Sequence, residues 1–293
     1  MKNEQLYLGV DGGGTQCRVR IADASGRILG EAVRGGANTR LGVDYVFGEI
    51  IAAAKMALSN AGLDEKCLGD LHAGLGLAGL PLTRDRQLVQ SYNHPFADIC
   101  FATDAYTACL GAHDGQNGAI LIVGTGTCGQ AIIGDRQLSV AGWGFEVSDL
   151  GSGARIGRNA IETALLAHDG LARKTDLTAA VMARFDHDPE NIVIFAEKAK
   201  PSDYGKLCPM VFDAEAAGDS VAIDLIQIAV DANLAILRRL VDFGAPRLTL
   251  MGGLAEQMAR RMPPEIAELL VPAKFDAMHG AILMAKQHER AAA

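Results

Sequence analysis

The chain lacks a basic block, paired cysteines and a long uninterrupted apolar run, and each absence removes a class of function. Lys and Arg number 27 against 35 Asp and Glu, a formal net charge of −8. Binding a nucleic-acid backbone needs clustered cations to neutralise phosphates, so nucleic acid is not an expected partner. The six cysteines, Cys17, Cys67, Cys100, Cys109, Cys128 and Cys208, form no CxxC pair and have no His at ligand spacing. That argues against a zinc or iron–sulfur site built within one chain, and the thiols read as reduced, with the cytoplasm as the expected compartment. No apolar run approaches the ~18 residues a membrane span requires, so no membrane partner is expected. The opening MKNEQ runs straight into an apolar stretch, leaving no expected signal peptide, and no helix-turn-helix precedes residue 6. The seven His share no spacing and read as structural or solvated.

What is present is glycine in particular places. Leu6 to Asp23, LYLGVDGGGTQCRVRIAD, sets two apolar runs around Asp11, Gly12, Gly13, Gly14 and Thr15, the pattern of two strands joined by a wide turn. Glycine backbones approach a ligand closely and turn successive amides towards phosphate oxygens. Asp11 at the strand exit then faces the same place, and a carboxylate beside phosphates needs a shared cation, for which Mg²⁺ held through water is expected. An ordinary glycine-rich hairpin is the plainer alternative. Residues 118 to 133, GAILIVGTGTCGQAII, repeat the scheme around Gly124, Thr125 and Gly126. Two such hairpins in one chain predict two related halves facing each other across a cleft. A third glycine turn, RLTLMGGLAEQM, leads into a helix. The order of DGGGT, GTGT and MGGLA resembles the actin, hexokinase and Hsp70 superfamily of ATP-using proteins.

With 293 residues and 49% hydrophobic content the chain buries a large core, and at a rough prior of ~150 residues per domain it divides into two. The expected boundaries are 1–115 and 116–276, with the turn-rich HDGQNG as hinge, a helical insertion in the second domain, and a last helix at 277–293 that packs back on the first. In the first half, Asn38 and Thr39 end a Gly-Gly loop, either organising a turn or touching ligand. A helix runs from Asp44 to the stop at Gly62, and DLHAGLGLAGL reads as a buried parallel strand. DICFA then delivers Thr103 and Asp104 to the start of a helix. Asp104 there is either a helix cap or, at the carboxyl end of a strand where α/β sheets hold ligands, a base that accepts a substrate hydroxyl proton. In the second half AGWGFEVSDLGSGARIG holds the only Trp. Its glycines either shape a tight connection or, with Trp143, Glu146 and Asp149, offer donors and acceptors to a polyhydroxy ligand. From there to residue 244 the chain reads as helical, with a break at KPSDYG and a long amphipathic helix beginning at Asp219 and Ser220.

The joint occurrence of VDGGGT, TDAYTACLGAH, GTGTCG, SDLGSGA and LMGGLAE resembles the BadF/BadG/BcrA/BcrD ATPase family, within it the N-acetylglucosamine kinase and bacterial glucosamine kinase branch. The resemblance implies an α/β chain of two ribonuclease H-like, actin-like ATPase domains flanking a nucleotide and sugar cleft. It implies an ATP-dependent, Mg²⁺-dependent kinase acting on the 6-hydroxyl of glucosamine or N-acetylglucosamine, with a homodimer as the expected assembly. Carried over residue by residue, Asp11 and Thr15, with Gly12, Gly13 and Gly14, belong to the first phosphate site, and Gly124, Thr125 and Gly126 to the second. Asp104 matches the base, while Asn38, Gly142, Trp143, Gly144 and Asp149 match positions that hold sugar hydroxyls. Gly252, Gly253 and Ala255 match the adenosine side. The stretch EAAGD at 215–219 departs from the pattern, leaving its nucleotide contact open. Glu146, a carboxylate suited to an ammonium, inclines the substrate towards glucosamine. An activator ATPase of the same family, or a nonenzymatic actin-like regulator, are the competing readings.

Overall fold

The computed structural model describes residues 5–80 and 82–292. The start at Met1–Glu4 and the expected helix end at Ala293 lie outside the described residues. The chain forms two compact units, one of Met1–Ile120, Gln130–Gln137 and Val271–Ala293, the other of Leu121–Gly129 and Leu138–Leu270.

In the first unit β1 (Leu6–Gly12), β2 (Gln16–Asp23), β3 (Ile28–Gly35), β4 (Leu71–Leu77) and β5 (Asp98–Thr103) form one sheet in the order β3-β2-β1-β4-β5. β1 and β2 pair antiparallel across the glycine turn, whereas β1, β4 and β5 run parallel. Parallel neighbours need crossovers, and α1 (Val43–Asn60) and α2 (Thr83–Gln90) supply them. The strand LHAGLGL shows how sequence directs the layers. Leu71, Ala73, Leu75 and Leu77 are fully buried in a core shared with Phe47 and Ile50 of α1. The alternate positions, Gly74 and Gly76, lie on the opposite face, where α3 (Asp104–His113) and α12 (Ala277–Ala292) pack. A side chain at Gly74 would collide with the carbonyl of Ala281, and one at Gly76 with the hydroxyl of Thr107. α12 is pinned further by Tyr7, whose hydroxyl donates to Glu289 Oε2 at 2.5 Å, and by Arg20, which grips Asp276 at 2.8 and 2.6 Å.

The second sheet contains β6 (Gly118–Val123), β7 (Thr127–Ile133), β8 (Arg136–Ala141) and β9 (Leu248–Met251) in the order β8-β7-β6-β9. Both sheets therefore place three consecutive strands side by side and return the fourth beside the first. This is the ribonuclease H-like arrangement, and the chain has the two such domains of the actin-like ATPases. Between β8 and β9 come α4 (Gly153–His168), α5 (Asp176–Ala183), α6 (Pro189–Ala196), α7 (Pro201–Gly205), α8 (Cys208–Ala216) and α9 (Ser220–Asp242). The expected break at KPSDYG is instead the short helix α7, with Pro201 at its first position, where a missing N–H is tolerated. Asp219 caps α9, accepting from the amides of Val221 at 2.9 Å and Ala222 at 3.0 Å.

Among the described residues α9 is long and apolar enough to cross a membrane by length and composition. Counting uninterrupted apolar runs missed it, because Asp224 and Asp231 break the run without removing its apolar average. Its apolar face, including Ala222, Ile226 and Leu237, is buried within the second unit, as the core helix of a globular domain requires.

Candidate functional site

Strand register gathers one set of expected residues on a single edge of the first unit. Gly12 lies opposite Leu77, and Leu77 opposite Thr103. Asp11 and Asp104 thus sit at the carboxyl ends of parallel strands two positions apart, roughly 10 Å across the sheet at about 4.8 Å per strand. The glycine turn closes with Gly13 N–H donating to the Gln16 carbonyl at 2.9 Å, leaving Gly14 and Thr15 exposed at its tip. Asn38 reaches the same edge from the loop after β3. Ala37 N–H donates to the Gly13 carbonyl at 2.9 Å, and Thr39 Oγ1 to the Gly79 carbonyl at 2.6 Å. Gly79 needs its positive φ of 86°, and a side chain there would strike Asn38 Oδ1. That oxygen accepts from Arg40 N–H at 3.0 Å.

The two readings of Asp104 separate onto different residues. Thr103 is the cap of α3, its hydroxyl oxygen accepting from Tyr106 N–H at 3.2 Å. Asp104 Oδ1 accepts from its neighbour's amide, Ala105 N–H, at 2.9 Å. Burial pushes the Asp104 carboxyl above the usual carboxylate range, and the nearby charge of Asp11 pushes it the same way, against the pull of the Ala105 amide. A carboxylate with a perturbed pKa at the carboxyl end of a parallel strand is a candidate for proton transfer. Asp11 is not solitary either. Arg18, directly opposite on β2, donates Nε to Asp11 Oδ2 at 3.0 Å and Nη2 to the same oxygen.

The second unit brings two glycine turns together. Gly124 N–H donates to the Gly126 carbonyl at 2.9 Å, and the first amide of α4, Gly153 N–H, donates to the Gly124 carbonyl at 2.8 Å. β9 neighbours β6, and Leu254 N–H donates to the Val123 carbonyl at 3.0 Å. Gly252, at φ 95°, allows that approach. Beside these turns opens a cavity of about 560 Å³, bounded by Thr125, Gly253, Lys206, Phe212 and Asp213. That volume lies within the range of small-molecule sites. Ala255 opens the short helix α10 (Ala255–Ala259) that follows the turn.

Lys206, Phe212 and Asp213 carried no local signal in the sequence, which only marked their stretch as helical. The departure from the family pattern lies at EAAGD, a turn further on. There Glu215 is engaged by Arg261, whose guanidinium also lies 5.3 Å from the Phe212 ring centroid. Asn233 was missed as well. Wholly buried on α9, it accepts from Thr127 Oγ1 at 3.1 Å and donates to the Gly151 carbonyl at 2.9 Å. One amide side chain so ties the second hairpin to the glycine loop.

That loop is divided in its exposure. Gly142 packs on Cys128, where a Cβ would come within 2.8 Å of the Cys128 Cβ. Arg155 donates to the carbonyls of Phe145 at 3.1 Å and Ser148 at 3.3 Å, holding the loop's centre. Asp149, at φ 59°, is buried with its carboxylate turned to Gly126 of the second turn. Trp143 is 65% exposed, Glu146 is exposed, and neither lines the cavity.

For a cation, no group of three His, Cys, Asp or Glu gathers among the described residues. One carboxylate with an oxygen to spare, Asp11 Oδ1, suits an ion that keeps several waters and takes phosphate oxygens, as Mg²⁺ does.

A glucosamine kinase of Vibrio cholerae, GspK, is 40% identical over 284 residues, spanning 97% of this chain and 96% of its own. An N-acetylmuramic acid/N-acetylglucosamine kinase of Clostridium acetobutylicum is 26% identical over 236 residues, 77% of this chain and 76% of its own. A crystal structure from Chromobacterium violaceum, provisionally described as an N-acetylglucosamine kinase, superposes with a TM-score of 0.87 at 31% identity, covering 96% of this chain and 99% of that one. A ROK family glucokinase from Streptomyces griseus, at TM-score 0.52 and 18% identity, shares the fold, with 96% and 99% covered. The model of the BadF/BadG/BcrA/BcrD ATPase family matches residues 8–285, and the chain belongs to that family.

Proposed function

We propose that this chain is an ATP-dependent amino-sugar kinase that phosphorylates the 6-hydroxyl of glucosamine. The observation that carries the reading is the division of labour between Thr103 and Asp104. The hydroxyl caps the helix, and the carboxylate is left raised in pKa at the ligand-binding edge of the sheet. In the reaction Asp104 accepts the proton of the sugar 6-hydroxyl as that oxygen bonds to the γ-phosphorus. The bond from that phosphorus to the β,γ-bridging oxygen breaks, and ADP leaves. Exposed amides of Gly14 and Thr15, and the Gly124 to Gly126 turn, serve the phosphates. Gly252 and Gly253, with the cavity beside Phe212, serve the adenosine. Asp11 would hold Mg²⁺ through water, and that ion would neutralise charge on the phosphates. Asn38, the Gly142 to Gly144 backbone and Asp149 are assigned to sugar hydroxyls, Trp143 and Glu146 to the C2 substituent.

The choice of glucosamine rests on the Vibrio cholerae relative, whose identity spans nearly both whole chains. N-acetylglucosamine is the second reading, favoured by the Chromobacterium violaceum structure. ADP release measured over a panel of sugars with MgATP, with the product's phosphate position read by ³¹P and proton NMR, tests both. Phosphate on the 6-oxygen of glucosamine supports the proposal. ADP release that no sugar stimulates would favour the activator-ATPase reading.

A further inference from the structure

Arg18 is a charged side chain at the strand edge carrying Asp11 that the reaction above does not use. Cross-strand register sets it opposite Asp11, so both side chains leave the same face of the β1–β2 pair. Its fork makes an unusual choice. An arginine facing a carboxylate commonly spreads over both oxygens, yet here Nε and Nη2 converge on Asp11 Oδ2. No protein donor meets Oδ1 among the described residues. The carboxylate is largely covered, at 13% exposure, while Arg18 is open at 47%. The fork therefore pins one oxygen of the carboxylate and leaves the other, Oδ1, without a protein donor among the described residues.

The electrostatic surroundings add a second reason for a cation at this point. Asp11 raises Asp104, a repulsion that any base at this edge must tolerate. Arg18 offsets the charge of Asp11 from the side and leaves the oxygen that a hydrated cation would use. A plain exposed ion pair contributes little to stability.

We propose that Arg18 is a positioning residue for the metal–nucleotide complex, acting through Asp11: it orients the carboxylate so that Oδ1 alone receives the water shell of the divalent cation. The inference rests on the kinase reading of the same site. Its consequence is selective. Losing Arg18 disturbs recognition of the metal-bound nucleotide, while recognition of nucleotide without metal, which relies on the glycine turns and the second unit's cavity, is unaffected.

The test is calorimetric titration of ADP into the whole protein, with Mg²⁺ and with EDTA, for wild type, Arg18→Ala and Arg18→Lys, alongside the Mg²⁺ concentration giving half-maximal rate. Arg18→Ala is expected to weaken MgADP binding ~10-fold, about 1.4 kcal/mol, and to raise the Mg²⁺ requirement, with metal-free ADP binding unchanged. Arg18→Lys, which retains charge without the fork, is expected to fall between. In an Asp11→Asn background Arg18→Ala should add nothing further. Equal loss with and without Mg²⁺, or no change in either, overturns the proposal, as does full additivity with Asp11→Asn. Should Arg18→Ala fold poorly, the Arg18→Lys titration decides alone. Failure of wild type to bind ADP at all strikes the kinase reading instead, so the two failures are distinguishable.

Discussion

Thr107 occupies the space that a side chain on Gly76 would need. Its hydroxyl, buried against β4, donates at 3.0 Å to the carbonyl of Asp104, so the fit between a glycine and a threonine sets the first turn of the helix that presents Asp104. Gly76→Ala is expected to cost about 1–3 kcal/mol by overpacking and to lower turnover by displacing that turn. Thr107→Ala in the same chain should recover much of both. Thermal melts and steady-state rates on wild type and the two variants check this, and a Gly76→Ala protein with wild-type kcat would break the link.

Asp104→Asn is expected to lower kcat ~100-fold or more, the scale of a general base, while leaving MgADP affinity nearly intact. Stopped-time ADP assays with parallel calorimetry separate the two effects. Near-normal turnover would return the residue to a structural role.

The raised pKa of Asp104 carries two further consequences of definite sign. The acid limb of kcat/KM should lie above the ~3.9 of an ordinary aspartate and disappear in Asp104→Asn. In the unfolded chain this carboxyl gives up its proton first. Stability therefore falls as pH rises from the unfolded pKa to the folded one, and the penalty is complete above both. Asp104→Asn is thus expected to melt higher than wild type at pH 8 and to lose that advantage near pH 4. A lower melting temperature at pH 8 would contradict the assigned burial.

Asn233 joins the second hairpin to the glycine loop with one accepted and one donated hydrogen bond in a fully buried setting. Removing it leaves Thr127 and the Gly151 carbonyl without that partner. Asn233→Ala should cost about 1–3 kcal/mol and raise KM for ATP more than it lowers kcat. Denaturant titration and initial rates over an ATP series provide the comparison, in which unchanged KM would confine Asn233 to folding.

Glu146 stands exposed in the loop assigned to the C2 substituent. Glu146→Gln is expected to lower kcat/KM for glucosamine ~10-fold, about 1.4 kcal/mol in transition-state binding, with N-acetylglucosamine unaffected. Parallel loss on both sugars would argue against a contact with the ammonium.

The parts of the site that were legible in the sequence are those whose chemistry is local. Asp11 to Thr15 and Gly124 to Gly126 announce turns because glycine and threonine clusters between two apolar runs punctuate strands. Asp219 announces a helix start because its side chain reaches amides two and three residues on. Asn233, Phe212 and Gly76 announce nothing. Their meaning lies in partners far along the chain, such as Gly151 for Asn233 and Thr107 for Gly76. Periodicity records a residue as buried without saying what it touches. Asp149 falls between these cases. Its glycine-rich surroundings pointed to a ligand loop, but only the folded chain turns its carboxylate to Gly126.

The packing of α12 on β1 and β4 has a consequence for how the protein is made. Gly9 and Gly74 lie bare against the backbones of Met278 and Ala281, and the whole second unit is encoded between these strands and the helix that covers them. On the ribosome the strands emerge early and wait with one face uncovered while the second unit is synthesised. The segment made first is therefore completed last, a reversal of the usual amino-to-carboxyl order of domain folding. The interval leaves an apolar surface, with Tyr7 and Ala22 at its centre, that chaperones would be positioned to shield until Ile282 and Ala285 arrive.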